Sequence, residues 1–113
     1  MTTQAHTPSA DQLTLVAFLR AKTGQGAELG RRLHGLYEQA RAEEGNINYD
    51  LHVSNEDPDV WMLYENWRHA SDLEDHFRLP YMQAFVATLC EVLEGDMDLR
   101  RFSMKTPFAN PTF

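Results

Sequence analysis

The spacing of hydrophobic positions changes repeatedly along the chain, and each change marks an element. Leu13 to Ala21 is short, apolar and partly β-branched. It predicts a strand with Leu13, Leu15, Ala17 and Leu19 on one face and Val16 and Phe18 on the other. After Gly24 and Gly26, the residues Leu29, Leu33, Leu36, Tyr37 and Ala40 recur at helical spacing, which predicts a helix from Ala27 to Glu44. Arg31, Arg32, Glu38, Arg41 and Glu43 lie largely away from that stripe, and Gly45 stands where a helix stop of positive φ is expected. Asn46 to Ser54 alternates, with Ile47, Tyr49, Leu51 and Val53 against Asn48, Asp50 and His52. The acidic turn Asn55-Glu56-Asp57-Pro58-Asp59 leads into a further strand, Val60 to Trp67, and the short turn predicts a hairpin. Ser71 and Glu74 match a capping box that opens a short helix. Pro80 starts the next, Tyr81 to Glu94, with Met82, Phe85, Val86, Leu89 and Leu93 on one face and Gly95 at its end. Asp96 to Lys105 supplies a last strand.

This β-α-β-β-α-β order predicts an α+β, ferredoxin-like sheet of antiparallel strands with both helices on one face. The first strand carries apolar groups on both faces, so the sheet face away from the helices needs a cover. A second copy of the chain supplies one, which predicts a homodimer. The domain is placed at 13–105, between a flexible N-terminal arm at 1–12 and a C-terminal tail at 106–113 whose Phe108 and Phe113 are candidates for docking on the body or on a partner.

Composition narrows the function. The chain of 113 residues carries a net charge of −7, and its basic pairs, Arg31-Arg32 and Arg100-Arg101, do not grow into a patch. Nucleic acid and anionic membrane surfaces are therefore not expected partners. The single cysteine, Cys90, excludes an internal disulfide framework or a cysteine-cluster metal site, and is read as a buried, inert thiol. The five histidines are scattered without zinc-motif spacing, and Gly24-Gln25-Gly26 is too short for a phosphate loop. No metal and no cofactor is expected. The polar start lacks an apolar signal segment and no run approaches a membrane span, so a cytoplasmic setting is expected.

Asn46 to His76 is where local rules conflict. Glu65 interrupts an otherwise apolar face formed by Trp61, Leu63 and Trp67. A carboxylate there must find a partner or hold its proton. Its candidate roles are to orient His52 or His76, to act as a base, or to form a structural pair with Arg20, Arg68 or Arg100. His76 follows the helix cap closely, and a histidine side chain exchanges protons near neutral pH. Its alternative is a packed imidazole bonded to a backbone carbonyl. His52 shares a strand face with Asn48 and Asp50, which forms either a polar pocket wall or a solvated face. Trp67 offers a flat stacking surface or simply core volume. Phe77, Tyr81 and Phe85 stand at the front edge of an apolar stripe.

The chain from Leu13 to Met104 resembles the antibiotic biosynthesis monooxygenase domain family of dimeric α/β barrels. The resemblance rests on Glu44-Gly45, Tyr49-Asp50-Leu51-His52, Asp57-Pro58, Tyr64-Glu65-Asn66-Trp67 and Asp72-Leu73-Glu74-Asp75-His76 in this order. It implies a small pocket between sheet and helices, and a cofactor-independent monooxygenase that oxidises a small aromatic phenol or quinol with O₂. On that reading His52, Glu65, Trp67 and His76 are the candidate catalytic residues, and Asn48, Phe77, Tyr81 and Phe85 the candidate substrate-binding ones. Haem-degrading relatives carry an asparagine on the first strand, which Leu13 to Phe18 lacks. Tyr81 stands where close relatives often carry a second histidine. The alternatives are a non-catalytic small-ligand-binding dimer and an isomerase of a small carbonyl compound.

Overall fold

The computed structural model describes residues 11–108. Residues 1–10 of the expected arm and 109–113 of the expected tail, Phe113 included, lie outside the described residues. Four strands, β1 (Leu13–Arg20), β2 (Asn46–Val53), β3 (Val60–Trp67) and β4 (Asp98–Phe102), alternate with helices α1 (Gly26–His34), α2 (Tyr37–Ala42), α3 (Ala70–Arg78) and α4 (Pro80–Leu89). The sheet order is β2-β3-β1-β4, and every neighbouring pair is antiparallel. This is the ferredoxin-like α+β arrangement expected from the element order. Among the described residues no helix is long and apolar enough to cross a membrane.

The core lies between the sheet and the helices. Leu15, Ala17 and Leu19 of β1 meet Leu29 and Leu33 of α1, Ala40 of α2, Leu73 of α3 and Met82 and Leu89 of α4, all buried. The alternation read on β1 is therefore the real inside-outside pattern: Phe18, one of its other-face residues, is exposed.

Several expectations are corrected. The helix predicted from Ala27 to Glu44 is two helices, because the chain turns at Gly35. Gly45 does not have positive φ, which among glycines belongs to Gly24 and Gly95. Its requirement is space: a Cβ there would come 2.2 Å from Asp72 Cγ and 2.5 Å from Asp72 Cβ, so only glycine lets the α2–β2 turn lie against α3. Ile47 does not share the inner face with Tyr49. A bulge between Asn46 and Asn48 breaks the alternation and leaves Ile47 47% exposed. Ser71 is not the N-cap of α3. That position is His69, and the Asp72 carboxylate accepts its backbone N–H at 3.1 Å. Helix α4 ends at Leu89, not at Glu94. The chain beyond it closes onto the end of β1, where Lys22 N–H donates to Val92 O and Glu94 N–H to Arg20 O, both at 2.8 Å. That closure buries Val92 and Leu93, while Val86 is exposed. Cys90, at the C-cap of α4, is exposed and not a buried thiol.

Candidate functional site

Leu73 and His76 are one helical turn apart, and they are the buried residues of α3. His76 is 1% exposed at its side chain, and its ring packs 4.8 Å from the Trp67 ring and 5.3 Å from that of Phe77. Its Nδ1 lies 2.7 Å from Glu43 Oε2. Glu43 follows the last residue of α2 with ψ near 135°, an extended backbone that turns its carboxylate inward. The Tyr81 hydroxyl, from the first turn of α4, donates to the same Oε2 and sits 3.3 Å from His76 Nδ1. Burial first, and then the bond to Glu43, push the Tyr81 hydroxyl pKa upward, so it stays a donor. With Nδ1–H donating to Glu43, the other ring nitrogen, Nε2, makes no hydrogen bond among the described residues.

His76 lines a cavity of about 20 Å³ between sheet and helices, with Leu15, Leu36, Met82, Phe77 and Phe85. Glu65 from β3 is the other ionisable group on that wall beside the tyrosine hydroxyl of Tyr49. Burial raises the Glu65 carboxyl from its ordinary 4.5 to about 7; the Trp67 N–H, donating at 2.9 Å, opposes the rise and the nearby Glu43 charge adds to it. None of the arginines considered for Glu65 reaches it: Arg20 pairs with Asp57, Arg68 with Asp72 and Glu44, and Arg100 with Asp98. Its hydrogen bond comes from Trp67 instead.

Of the residues singled out in the sequence, His76, Glu65, Phe77 and Phe85 meet at the cavity. Trp67 stands behind His76 and Glu65, fully buried. Tyr81 is held at Glu43, on the far side of the imidazole from Nε2. His52 is exposed on the opposite sheet face, with Nδ1 3.2 Å from the Asp50 carbonyl. Asn48 is on that face too, in a polar chain: Gln12 and Thr14 donate to Asn66 Oδ1, Asn66 Nδ2 donates to Asn48 Oδ1 at 2.9 Å, and Asn48 Nδ2 donates to Asp50 at 3.0 Å. The structure brings neither His52 nor Asn48 to the cavity.

Glu43 is the site residue that periodicity misses, because helical spacing assigns it to the solvated side. One signal was present. Two carboxylates, Glu43 and Glu44, sit together at a helix C-terminus, where the helix dipole disfavours negative charge. An acid kept there has another partner, and here it is His76.

The fold and part of this sequence recur in known proteins. The protein YcnE of Bacillus subtilis, whose name assigns it provisionally to the monooxygenases, is 28% identical over 89 residues, covering 79% of this chain and 94% of its own. The crystal structure of PA3566 from Pseudomonas aeruginosa superposes with a TM-score of 0.81 at 28% identity, over 86% of this chain and 97% of that one. A Nitrosomonas europaea structure, named provisionally as an antibiotic biosynthesis monooxygenase, reaches a TM-score of 0.82 at 18% identity over 89% of this chain and 97% of its own, which is a likeness of fold. A sequence model described as antibiotic biosynthesis monooxygenase matches residues 12–88, more than half of the 113, and the chain belongs to that family.

Proposed function

We propose that this protein is a cofactor-independent monooxygenase that oxidises a small aromatic phenol or quinol with O₂, with His76 as its base. The observation that carries the reading is the His76 imidazole at the wall of an apolar cavity, with Nδ1 fixed by Glu43 and Nε2 left without a protein partner. For a phenol with a ring C–H to be oxygenated, Nε2 takes the hydroxyl proton. The phenolate passes one electron to O₂, and the phenoxyl and superoxide combine as a ring peroxide anion, which takes up a proton to become a hydroperoxide. Loss of the ring hydrogen as a proton and cleavage of the O–O bond give a quinone and one water. One phenol and one O₂ are consumed, and no external reductant is needed. Glu65, whose carboxyl is half protonated near pH 7, can give a proton to the departing oxygen. Apolar walls exclude bulk water from the radical pair.

A cavity of about 20 Å³ admits one molecule the size of water or O₂. An aromatic ring needs on the order of 150 Å³. Substrate binding therefore requires Phe77, Phe85, Met97 and Leu99 to move, the lining residues that are themselves partly exposed. The test is oxygen uptake with a panel of naphthols and naphthohydroquinones, corrected for spontaneous oxidation. Uptake above that background is expected for the wild type and not for His76→Ala. Equal uptake by the two proteins sinks the reading, and tight retention of a panel member without turnover replaces it with a binding role.

The proposed assembly is a homodimer through the sheet face away from the helices. That face presents Phe18 and Phe102, both exposed, beside the partly buried Val16, Met62 and Tyr64. These apolar groups lie among polar ones, the Asn48–Asn66 chain, His52 and the Arg100–Asp98 pair, and the proposed partner covers the apolar part. Sedimentation at micromolar concentration should give twice the 13.0 kDa chain mass. Replacing Phe18 and Phe102 by Lys should give the monomer, and a wild-type monomer would rule the dimer out.

A further inference from the structure

Apart from His76, Glu65 and Tyr49 the cavity is lined by apolar side chains, so a proton taken by His76 from a substrate needs a route to solvent. We propose that Glu43 is a proton relay that connects His76, and through it the cavity, to a separate acidic pocket on the surface. This rests on the reading of His76 as the base. His76 lines the inner cavity and does not line the surface pocket; Glu43 does the reverse. The surface pocket, of about 340 Å³, is bounded by Glu43, Glu44, Gly45, Arg68, Asp72 and Asp75. The two side chains meet across the wall at 2.7 Å. Trp67 packs against the imidazole and also borders the surface pocket. The path is thus a single file of Nε2, Nδ1, Oε2 and solvent.

Each step moves one proton. As Nε2 gains the substrate proton, Nδ1 gives its own to the Glu43 carboxylate, and the imidazole returns to a neutral form with its proton on Nε2. Glu43 then releases its proton to the outer pocket. The oxidation has no net proton yield: the exported proton returns along the same path to the peroxide anion, and Glu65, after giving its proton to the departing oxygen, takes up the one lost from the ring. Both hydrogen bonds to Glu43 land on Oε2, and Oε1 makes none among the described residues, which leaves it for solvent. The charged and titratable groups around the pair are Glu44, Arg68, Asp72 and Asp75 on the outer side, Glu65 and Tyr49 on the inner side, and Tyr81 from α4. Arg68 is occupied by Asp72 and Glu44, so no cation on the outer side competes for Glu43. The depth of the two residues suits the role: His76 is 1% exposed and Glu43 16%.

The experiment needs no substrate for its first arm. In the full chain with ¹⁵N-labelled histidine, exchange of the His76 Nδ1 proton with water is measured by saturation transfer for wild type, Glu43→Gln and Glu43→Asp. Glutamine keeps a hydrogen-bond acceptor and cannot take a proton. The expected result is exchange slowed on the order of a hundredfold in Glu43→Gln, with recovery in Glu43→Asp. Equal exchange in wild type and Glu43→Gln overturns the relay, and so does equal slowing by both substitutions, which would mark a purely structural bond. The second arm is oxygen uptake with naphthol. Uptake lowered in Glu43→Gln and regained in Glu43→Asp supports the relay within the oxidation. Slowed exchange with no enzymatic uptake in any of the proteins leaves the relay standing and removes the monooxygenase reading.

Discussion

Trp67→Ala is expected to lower the unfolding free energy by about 3–5 kcal/mol, the usual range for truncating a large buried aromatic. Trp67 is fully buried at the end of β3 and pairs across the sheet with Leu13 and Asn46. Its removal leaves a void beside the His76 ring, and a close-packed interior refills such a void only in part. It also takes away the N–H that satisfies Glu65 Oε1. Trp67→Phe separates the two effects. It retains most of the packing and loses the donor, so a smaller loss of about 1–3 kcal/mol is expected. Since the Trp67 bond holds the Glu65 pKa down, both variants should raise it further. Urea unfolding followed by Trp61 fluorescence and circular dichroism measures the change. A loss below about 1 kcal/mol for Trp67→Ala would show that the site relaxes around the void. Domain stabilities run to about 5–15 kcal/mol, so the alanine variant stands near the limit of a folded protein.

What was legible in the sequence follows from which physics is local. Strands β1, β2 and β3 were readable because alternation is a property of each strand alone, and on β1 Leu15, Ala17 and Leu19 are inside as spaced, whereas on β2 Ile47 and Val53, read as inward with Tyr49, are exposed. The hairpin was readable because its turn is short and rich in acidic residues. The division of the first helical region was not, since Gly35 is tolerated in a helix and the reason to turn there is tertiary. Ile47 was misplaced because a bulge is fixed by pairing with β3, not by the strand's own pattern. At the site, Glu65 stood out as a polar group on an apolar face and His76 as a histidine close behind a helix start, and the structure brings both to the cavity. His52 and Asn48 were read with Asp50 as one polar strand face, either a pocket wall or a solvated surface, and the sheet puts that face away from the cavity. Alternation says that two faces differ, and only the packing of helices decides which one holds a pocket. Glu43 was hidden because its direction is set by the chain's exit from α2, an extended residue that periodicity treats as one more helical position.

Glu65→Gln is expected to stabilise the protein, and only above acidic pH. The Glu65 carboxyl titrates near 4.5 in the unfolded chain and near 7 in the folded one, raised mainly by burial. Below about pH 4 both states hold the proton and the group contributes no pH dependence. Between 4.5 and 7 the unfolded chain loses its proton first while the folded protein keeps it, so the folded state binds more protons and stability falls as pH rises. Above 7 both states are ionised and the penalty is constant. A shift of this size corresponds to about 3 kcal/mol. Glutamine removes the titration and still offers Trp67 an acceptor oxygen. The difference in unfolding free energy between Glu65→Gln and wild type should be near zero at pH 4, grow through pH 5 to 7, and level off near 3 kcal/mol by pH 8 in urea titrations at each pH, to order of magnitude. A difference independent of pH would mean that Glu65 titrates normally, and with it would go the proton that the cavity is proposed to hold near neutrality. The stabilising change should at the same time slow oxidation, because an amide cannot deliver a proton to the breaking O–O bond. Under the proposed reaction, that cost to the fold is what keeps a proton on Glu65 near neutral pH for the breaking O–O bond.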